Sequence, residues 1–136
     1  LRYGTLVDVA RKVSVGEPVD LRVGQVNALW QGDANSYAFR GLSLCESPPL
    51  PLVVTGPESV SVQTVAEFFG QRFGRPVRFA GTPGLALLGD PAKCVSLLGP
   101  PEVNLPRLLD WVAAWVEHGG RSLGKPTHFE ATDGRF

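Results

Sequence analysis

Trp30 and Gln31 stand side by side where an apolar run gives way to a helical pattern. An indole can stack on a ring, and a carboxamide both donates and accepts hydrogen bonds. Ligands of α/β folds gather at the carboxyl ends of strands. These two residues are therefore a candidate substrate wall; the competing reading is a core tryptophan beside a turn. Asn27, three residues earlier, faces either a cleft or solvent. Arg2 and Tyr3 reach the same ligand if a strand precedes them, and otherwise form a frayed end. The candidate binding set is Trp30, Gln31, Asn27, Arg2 and Tyr3, with no catalytic residue and no metal ligand assigned. Asp33 fits an N-cap better than a catalytic acid, because a carboxylate there accepts first-turn N–H groups. His118 suits the end of a helix, where a cation favours the dipole. His128 has no partner at metal-binding spacing. Cys45 and Cys94 read as small buried hydrophobes, too few for a disulfide scaffold, and a reducing cytoplasm is expected.

The elements that must position these residues follow from period and punctuation. Leu6, Val7, Val9, Ala10 and Val13 recur at helical spacing, and Gly16 and Pro18 stop that helix. Residues 19–23 predict a short strand turned by Gly24, and 26–30 a second strand. A helix follows through Leu42 and fades before Pro48 and Pro49. Leu50 to Val54 is nearly all apolar, which predicts a strand covered on both faces. Ser61 caps a helix over about 62–73 that buries Val62, Val65, Ala66, Phe69 and Phe73, and Gly74 ends it. Residues 81–84 predict a loop. Asp90 caps a short helix through Leu98, and Asn104 caps the last one, with Pro106 in its first turn. Gly119 and Gly120 close it. Trp111 and Trp115, four apart on that helix, predict core or interface contacts. Strands followed by helices predict a mixed α/β fold, with a small parallel or mixed sheet and crossover helices.

The 136 residues suit a domain that buries about 70% of its unfolded surface. Thirteen basic residues balance thirteen acidic ones, with no basic block, so neither nucleic acid nor an anionic membrane is an expected partner. No apolar run nears the roughly 20 residues that span a bilayer.

Four segments, in order, resemble the substrate-side portion of the NAD-dependent epimerase/dehydratase group, extended short-chain dehydrogenases/reductases. Ala10 to Pro18 is similar to that family's helix ending in Gly-x-Pro. Asn27 to Ala38 sits where the family has a strand, a Val-x-Asp step and a helix. Val53 to Ala66 is similar to its Asn-x-x-Gly-x-Glu-x-x-Ser-x-x-Glu-x-Ala segment. Leu88 to Lys93 followed by Leu97-Leu98-Gly99 resembles its Asp-x-x-Lys helix ending in Leu-Gly.

The departures are as informative. The sequence has no Gly-x-x-Gly-x-x-Gly phosphate loop and no Tyr-x-x-x-Lys pair. Val26-Asn27 stands where nucleotide-sugar members place Arg-Asp, which points to a smaller or less anionic substrate. Thr5 replaces the proline of the family's Tyr-Gly-Pro turn. The resemblance thus implies an incomplete Rossmann-type enzyme lacking its nucleotide-binding half. Residues 1–120 are expected to form the substrate-binding C-terminal domain and 121–136 a polar tail. NAD or NADP would serve the parent enzyme, and this chain alone would bind neither. Expected partners are a small-molecule substrate and either an N-terminal Rossmann half or another copy of the chain, giving a homo-oligomer. The lack of an initiator methionine reads as a piece of a longer product. The alternative is a stand-alone interaction module on the same scaffold, motivated by the apolar strand 50–54, whose edge would seek a partner.

Overall fold

The computed structural model describes residues 1–125, 127–129 and 131; Pro126, Glu130 and 132–136 of the expected tail lie outside the described residues. The elements run α1 (Thr5–Val15), β1 (Val19–Asp20), β2 (Val23–Asn27), α2 (Gln31–Gly41), β3 (Ser59–Ser61), α3 (Val62–Phe73), β4 (Phe79–Ala80), β5 (Leu85–Leu87), α4 (Ala92–Leu98) and α5 (Leu105–Glu117). A single 3-10 turn, Leu42–Leu44, follows α2. The fold is mixed α/β, as expected. One sheet has the order β3-β2-β5, and β1 pairs with β4. The β1–β4 and β2–β5 pairs are parallel and need crossovers through helices, while β2–β3 is antiparallel.

Local chemistry sets most helix ends. Gly16 and Gly74 take left-handed conformations after α1 and α3, with φ of 76° and 62°, a region that costs glycine nothing. The Ser61 hydroxyl accepts from Thr64 N at 3.4 Å, and Asn104 Oδ1 accepts from Arg107 N at 3.1 Å. Pro91, not Asp90, is the N-cap of α4, which has no side-chain cap; Asp90 Oδ1 accepts from Ala92 N at 2.9 Å from one position earlier.

The main core lies where α1, α3 and α5 pack on one another and α3 covers β2. Val9, Val13, Val65, Ala66, Phe69, Val112 and Ala113 are fully enclosed there. Phe69 stacks on Phe73 at 5.7 Å and meets Phe68 edge-on at 5.4 Å. Phe129 of the tail joins this core, and Leu123 N donates to Arg2 O at 3.0 Å.

The strands depart from the sequence expectations. Residues 50–54 form no strand, and Val53 and Val54 are 49% and 43% exposed. Both sides of β2 are already taken, by β3 and β5, and Pro48, Pro49 and Pro51 have no N–H to donate. Gly24 is not a turn. It lies inside β2, where the register against β5 shifts between Val23 and Gln25, the place where a bulge accommodates an extra residue. The break comes earlier, at Leu21 and Arg22. Leu21 N still donates to Ala80 O of β4, whereas Arg22 O already accepts from Leu85 N of β5. The second strand therefore ends at Asn27 and not at Trp30. β3 and β5 were not expected at all.

Candidate functional site

Beyond Asn27 the chain turns sharply into α2, and Trp30 is its N-cap, in extended conformation. The carboxyl end of β2 and the first turns of α1 and α2 line an open cavity of about 240 Å³, with Leu108 and Val112 of α5 also in its wall. Tyr3, Asn27, Trp30 and Gln31 all line it. The fold thus brings together four of the five sequence candidates. Arg2 is not among the described lining residues, and its backbone carbonyl is tied to Leu123.

The Trp30 indole meets Trp111 edge-to-face at 5.2 Å, and the Arg107 guanidinium lies 5.4 Å from the Trp111 ring. Gly32 makes this position possible. A Cβ there would stand 2.2 Å from indole Cζ3. Gln31 Nε2 donates to Asn35 Oδ1 at 2.9 Å, a pair one helical turn apart on the exposed face.

Asn27 is the most heavily bonded residue of the site. Its Nδ2 donates to Gly56 O at 2.9 Å and to Gly89 O at 2.8 Å, and its Oδ1 accepts from Gly89 N at 3.2 Å. One carboxamide therefore gathers three chain segments that are far apart in sequence. Gly56 must approach closely, since a Cβ there would lie 1.9 Å from Ala28 O. Sequence reasoning missed Gly32, Gly56 and Gly89; the available signal was a glycine beside a tryptophan and two glycines in apolar loops.

Asp33 does not cap α2, which has no side-chain cap. It is only 5% exposed, and its carboxylate accepts from Glu102 N at 3.3 Å and Val103 N at 3.1 Å. It latches α2 to the segment leading into α5. The partners lie about 70 positions away in sequence, so no local pattern announces them. Cys45 is exposed just after the 3-10 turn, not buried, whereas Cys94 is buried; both are free thiols. His118 Nδ1 lies 2.7 Å from Ala114 O at the end of α5. Trp115 Nε1 donates to Arg121 O at 3.2 Å, while the buried side of α5 is Leu108, Leu109, Val112 and Ala113.

A second hollow, of about 430 Å³, is lined by Asp8, Lys12, Arg22 and the tail residues Thr127, His128, Phe129 and Ala131. Its charged groups are already engaged. Thr127 Oγ1 donates to Asp8 Oδ2 at 2.6 Å. Arg22 Nε donates to Asp20 Oδ2 at 2.8 Å, and this bond, with Arg22 N donating to Oδ1, holds the Asp20 carboxyl below its usual range. Among the described residues no group of three or more His, Cys, Asp or Glu could hold a metal. No described helix is long and apolar enough to cross a membrane.

Comparison with solved structures gives a consistent answer. UDP-glucose 4-epimerase of Thermus thermophilus, in complex with NAD, superposes with a TM-score of 0.62 at 15% identity over 80% of this chain. UDP-glucuronic acid 4-epimerase of Bacillus cereus, also with NAD, gives 0.65 at 12% identity over 85%. The chain carries part of the fold of NAD-linked epimerases and reductases. The resemblance read from the four sequence segments holds at the level of fold. The GDP-mannoheptose C4 reductase of Campylobacter jejuni, with NADP bound, gives 0.58 at 12% identity over 82%. This chain spans only 38%, 39% and 45% of those three proteins. No protein-family model and no curated protein matches the sequence.

These neighbours hold NAD or NADP, and the starts of α2, α3 and α4 in this chain each carry a side chain. A pyrophosphate needs bare backbone N–H groups at a helix N-terminus. The turn into α2 carries Leu29 and Trp30, with the indole lying over Gly32. The Ser61 side chain already caps α3, and the Asp90 carboxylate stands at the start of α4.

Proposed function

We propose that this chain is the substrate-binding portion of an NAD(P)-dependent epimerase, dehydratase or reductase. The dinucleotide and the hydride chemistry belong to a Rossmann half outside it. The observation that carries this reading is the cavity at the end of β2, where Tyr3, Asn27, Trp30 and Gln31 meet within a fold shared with NAD-linked enzymes. Trp30 and Tyr3 offer aromatic faces to a substrate, and Gln31 a carboxamide. Asn27 acts by holding the loops of residues 56 and 89 in place. Arg2, adjacent in sequence to the lining residues Leu1 and Tyr3, completes the set.

The remaining assignments belong to the same proposal. Residues 1–120 form the substrate-side unit and 121–136 its tail, fastened through Phe129. The protein works in the cytoplasm, as its two free thiols suggest. It pairs with its Rossmann half or with another copy of itself. The interaction-module alternative has lost its motive, because residues 50–54 form no strand.

Calorimetric titration of the chain with NAD and with NADP tests the division of labour. Neither dinucleotide should give saturable heat. Stoichiometric binding of either one by this chain alone overturns the proposal.

A further inference from the structure

We propose that the tail after α5 is a strap that sets the position of one wall of the cavity, and that Thr127 is its positioning residue. The wall is the stretch that brings Leu1, Tyr3 and Thr5 to the cavity. Residues 1–4 lie in no helix or strand. Gly4 is the N-cap of α1, with φ of 131° and no side-chain cap. A Cβ built on it would have nothing within 4 Å. A glycine in that conformation, with nothing packed on it, gives the stretch little of its own to hold it.

The tail brackets that point. Before it, Leu123 N donates to Arg2 O at 3.0 Å. After it, Thr127 Oγ1 donates to Asp8 Oδ2 at 2.6 Å. The strap is fixed at its root, where Arg11 Nη2 donates to Gly120 O at 3.0 Å and Trp115 Nε1 to Arg121 O at 3.2 Å. Farther along, Phe129 is only 6% exposed and packs in the main core as a peg. Thr127 joins that peg to the wall, because its hydroxyl also accepts from Phe129 N at 3.5 Å. A hydroxyl can donate and accept at once, and a methyl in its place can do neither. His128, between Thr127 and Phe129, takes a φ of 54°. Residues other than glycine seldom adopt that region, and they keep it only where surrounding contacts hold them. The competing reading is that the tail merely completes the core through Phe129. Such a role needs no bond to Arg2 or to Asp8. The strap concerns the shape of the cavity, whatever its ligand. Where the cavity holds substrate, as proposed above, Tyr3 is in place only while the strap is fastened.

NMR spectroscopy of the full chain tests this with Thr127→Val and Thr127→Ser. The first keeps the shape of the side chain and loses the hydroxyl, whereas the second keeps the hydroxyl. In Thr127→Val the amides of Tyr3, Gly4 and Thr5 and the Tyr3 ring signals should shift and broaden by exchange on the microsecond-to-millisecond scale. The Leu123 amide should exchange with solvent about tenfold faster. The signals of Phe69 and Val112 in the core should stay in place. Thr127→Ser should keep the native pattern at Tyr3 and Leu123. Phe129→Ala, which removes the peg, should give the same changes at Tyr3 together with changes around Phe69. Unchanged Tyr3 and Leu123 signals in Thr127→Val overturn the inference. So does a Thr127→Ser chain that behaves like Thr127→Val. Core signals that move as far as those of the wall in Thr127→Val also overturn it, since the tail is then a part of the core and no strap. None of these results touches the substrate-site reading, which ligand binding decides.

Discussion

Around Phe69 the chain encloses apolar side chains from α1, α3, α5 and β2. Around Tyr37 the buried group is only Tyr37, Cys94 and Leu98, and polar bonds hold it. The Tyr37 hydroxyl donates to Gly99 O at 2.8 Å, and Arg40 donates to Leu98 O. The cavity draws Leu6, Val7, Leu108 and Val112 from the first region, and the same contrast runs through it. Its back is the apolar face of α5, whereas its rim is fixed by Asn27 and by the Asp33 latch. The difference teaches that this fold has an area-driven half and a half fastened at points. The first should lose stability through cavities, and the second through single unpaired polar groups.

Four substitutions sharpen or break that contrast. Phe69→Ala should cost most, about 3–5 kcal/mol in denaturant unfolding, because a rigid core does not collapse around the missing ring. A cost no larger than that of the polar substitutions below would mean that the main core is loosely packed. Asn27→Ala should cost roughly 2–3 kcal/mol, since Gly56 O, Gly89 O and Gly89 N lose their partner together. It should also broaden the amide signals of residues 55–57 and 88–90; sharp, unshifted signals would show that those loops are held without it.

Tyr37→Phe should cost about 1 kcal/mol at neutral pH, one neutral hydrogen bond. Burial pushes the Tyr37 hydroxyl above its usual value of 10.0. The folded state therefore holds this proton more tightly than the unfolded chain does. That contribution is complete below about pH 10 and is lost as pH rises through the folded value. Melting curves taken above that pH should fall for the native chain and fall less for Tyr37→Phe. Asp20→Asn should have the smallest effect, under about 1 kcal/mol, because Arg22 is largely exposed and solvent screens the pair. Its sign is opposite. The lowered Asp20 carboxyl stabilises the fold above the ordinary aspartate range and loses that effect as pH falls through its folded value. Acid unfolding of the native chain and of Asp20→Asn should therefore converge at low pH.

Helices were legible because their signals are local. Gly16, Gly74, Ser61 and Asn104 mark ends within a few residues of the turns that they close. Strand pairing was not legible. Whether Ser59–Ser61 or Leu50 to Val54 joins β2 depends on which segment reaches its edge, and the more apolar of the two lost. Cys45 shows the same limit, since an apolar neighbourhood in sequence became an exposed corner after the 3-10 turn. The site was half legible. Tyr3, Asn27, Trp30 and Gln31 carry chemistry in their residue types, and they do meet. Gly56, Gly89 and the true partners of Asp33 matter only through closeness.

From its sequence alone this chain determined where its helices start and stop, which faces they bury, and that the fold is mixed α/β. It also determined that two chemical parts are missing from it, the glycine-rich phosphate loop and the Tyr-x-x-x-Lys pair. Only the tertiary structure decided the order of the strands, the bulge at Gly24, the work of Asn27 and Asp33, and the cavity at the end of β2. The physical reason is range. Caps and amphipathic periods act over one or two helical turns, whereas a carboxamide that binds residues 29 and 62 positions away acquires its role only after the chain has folded.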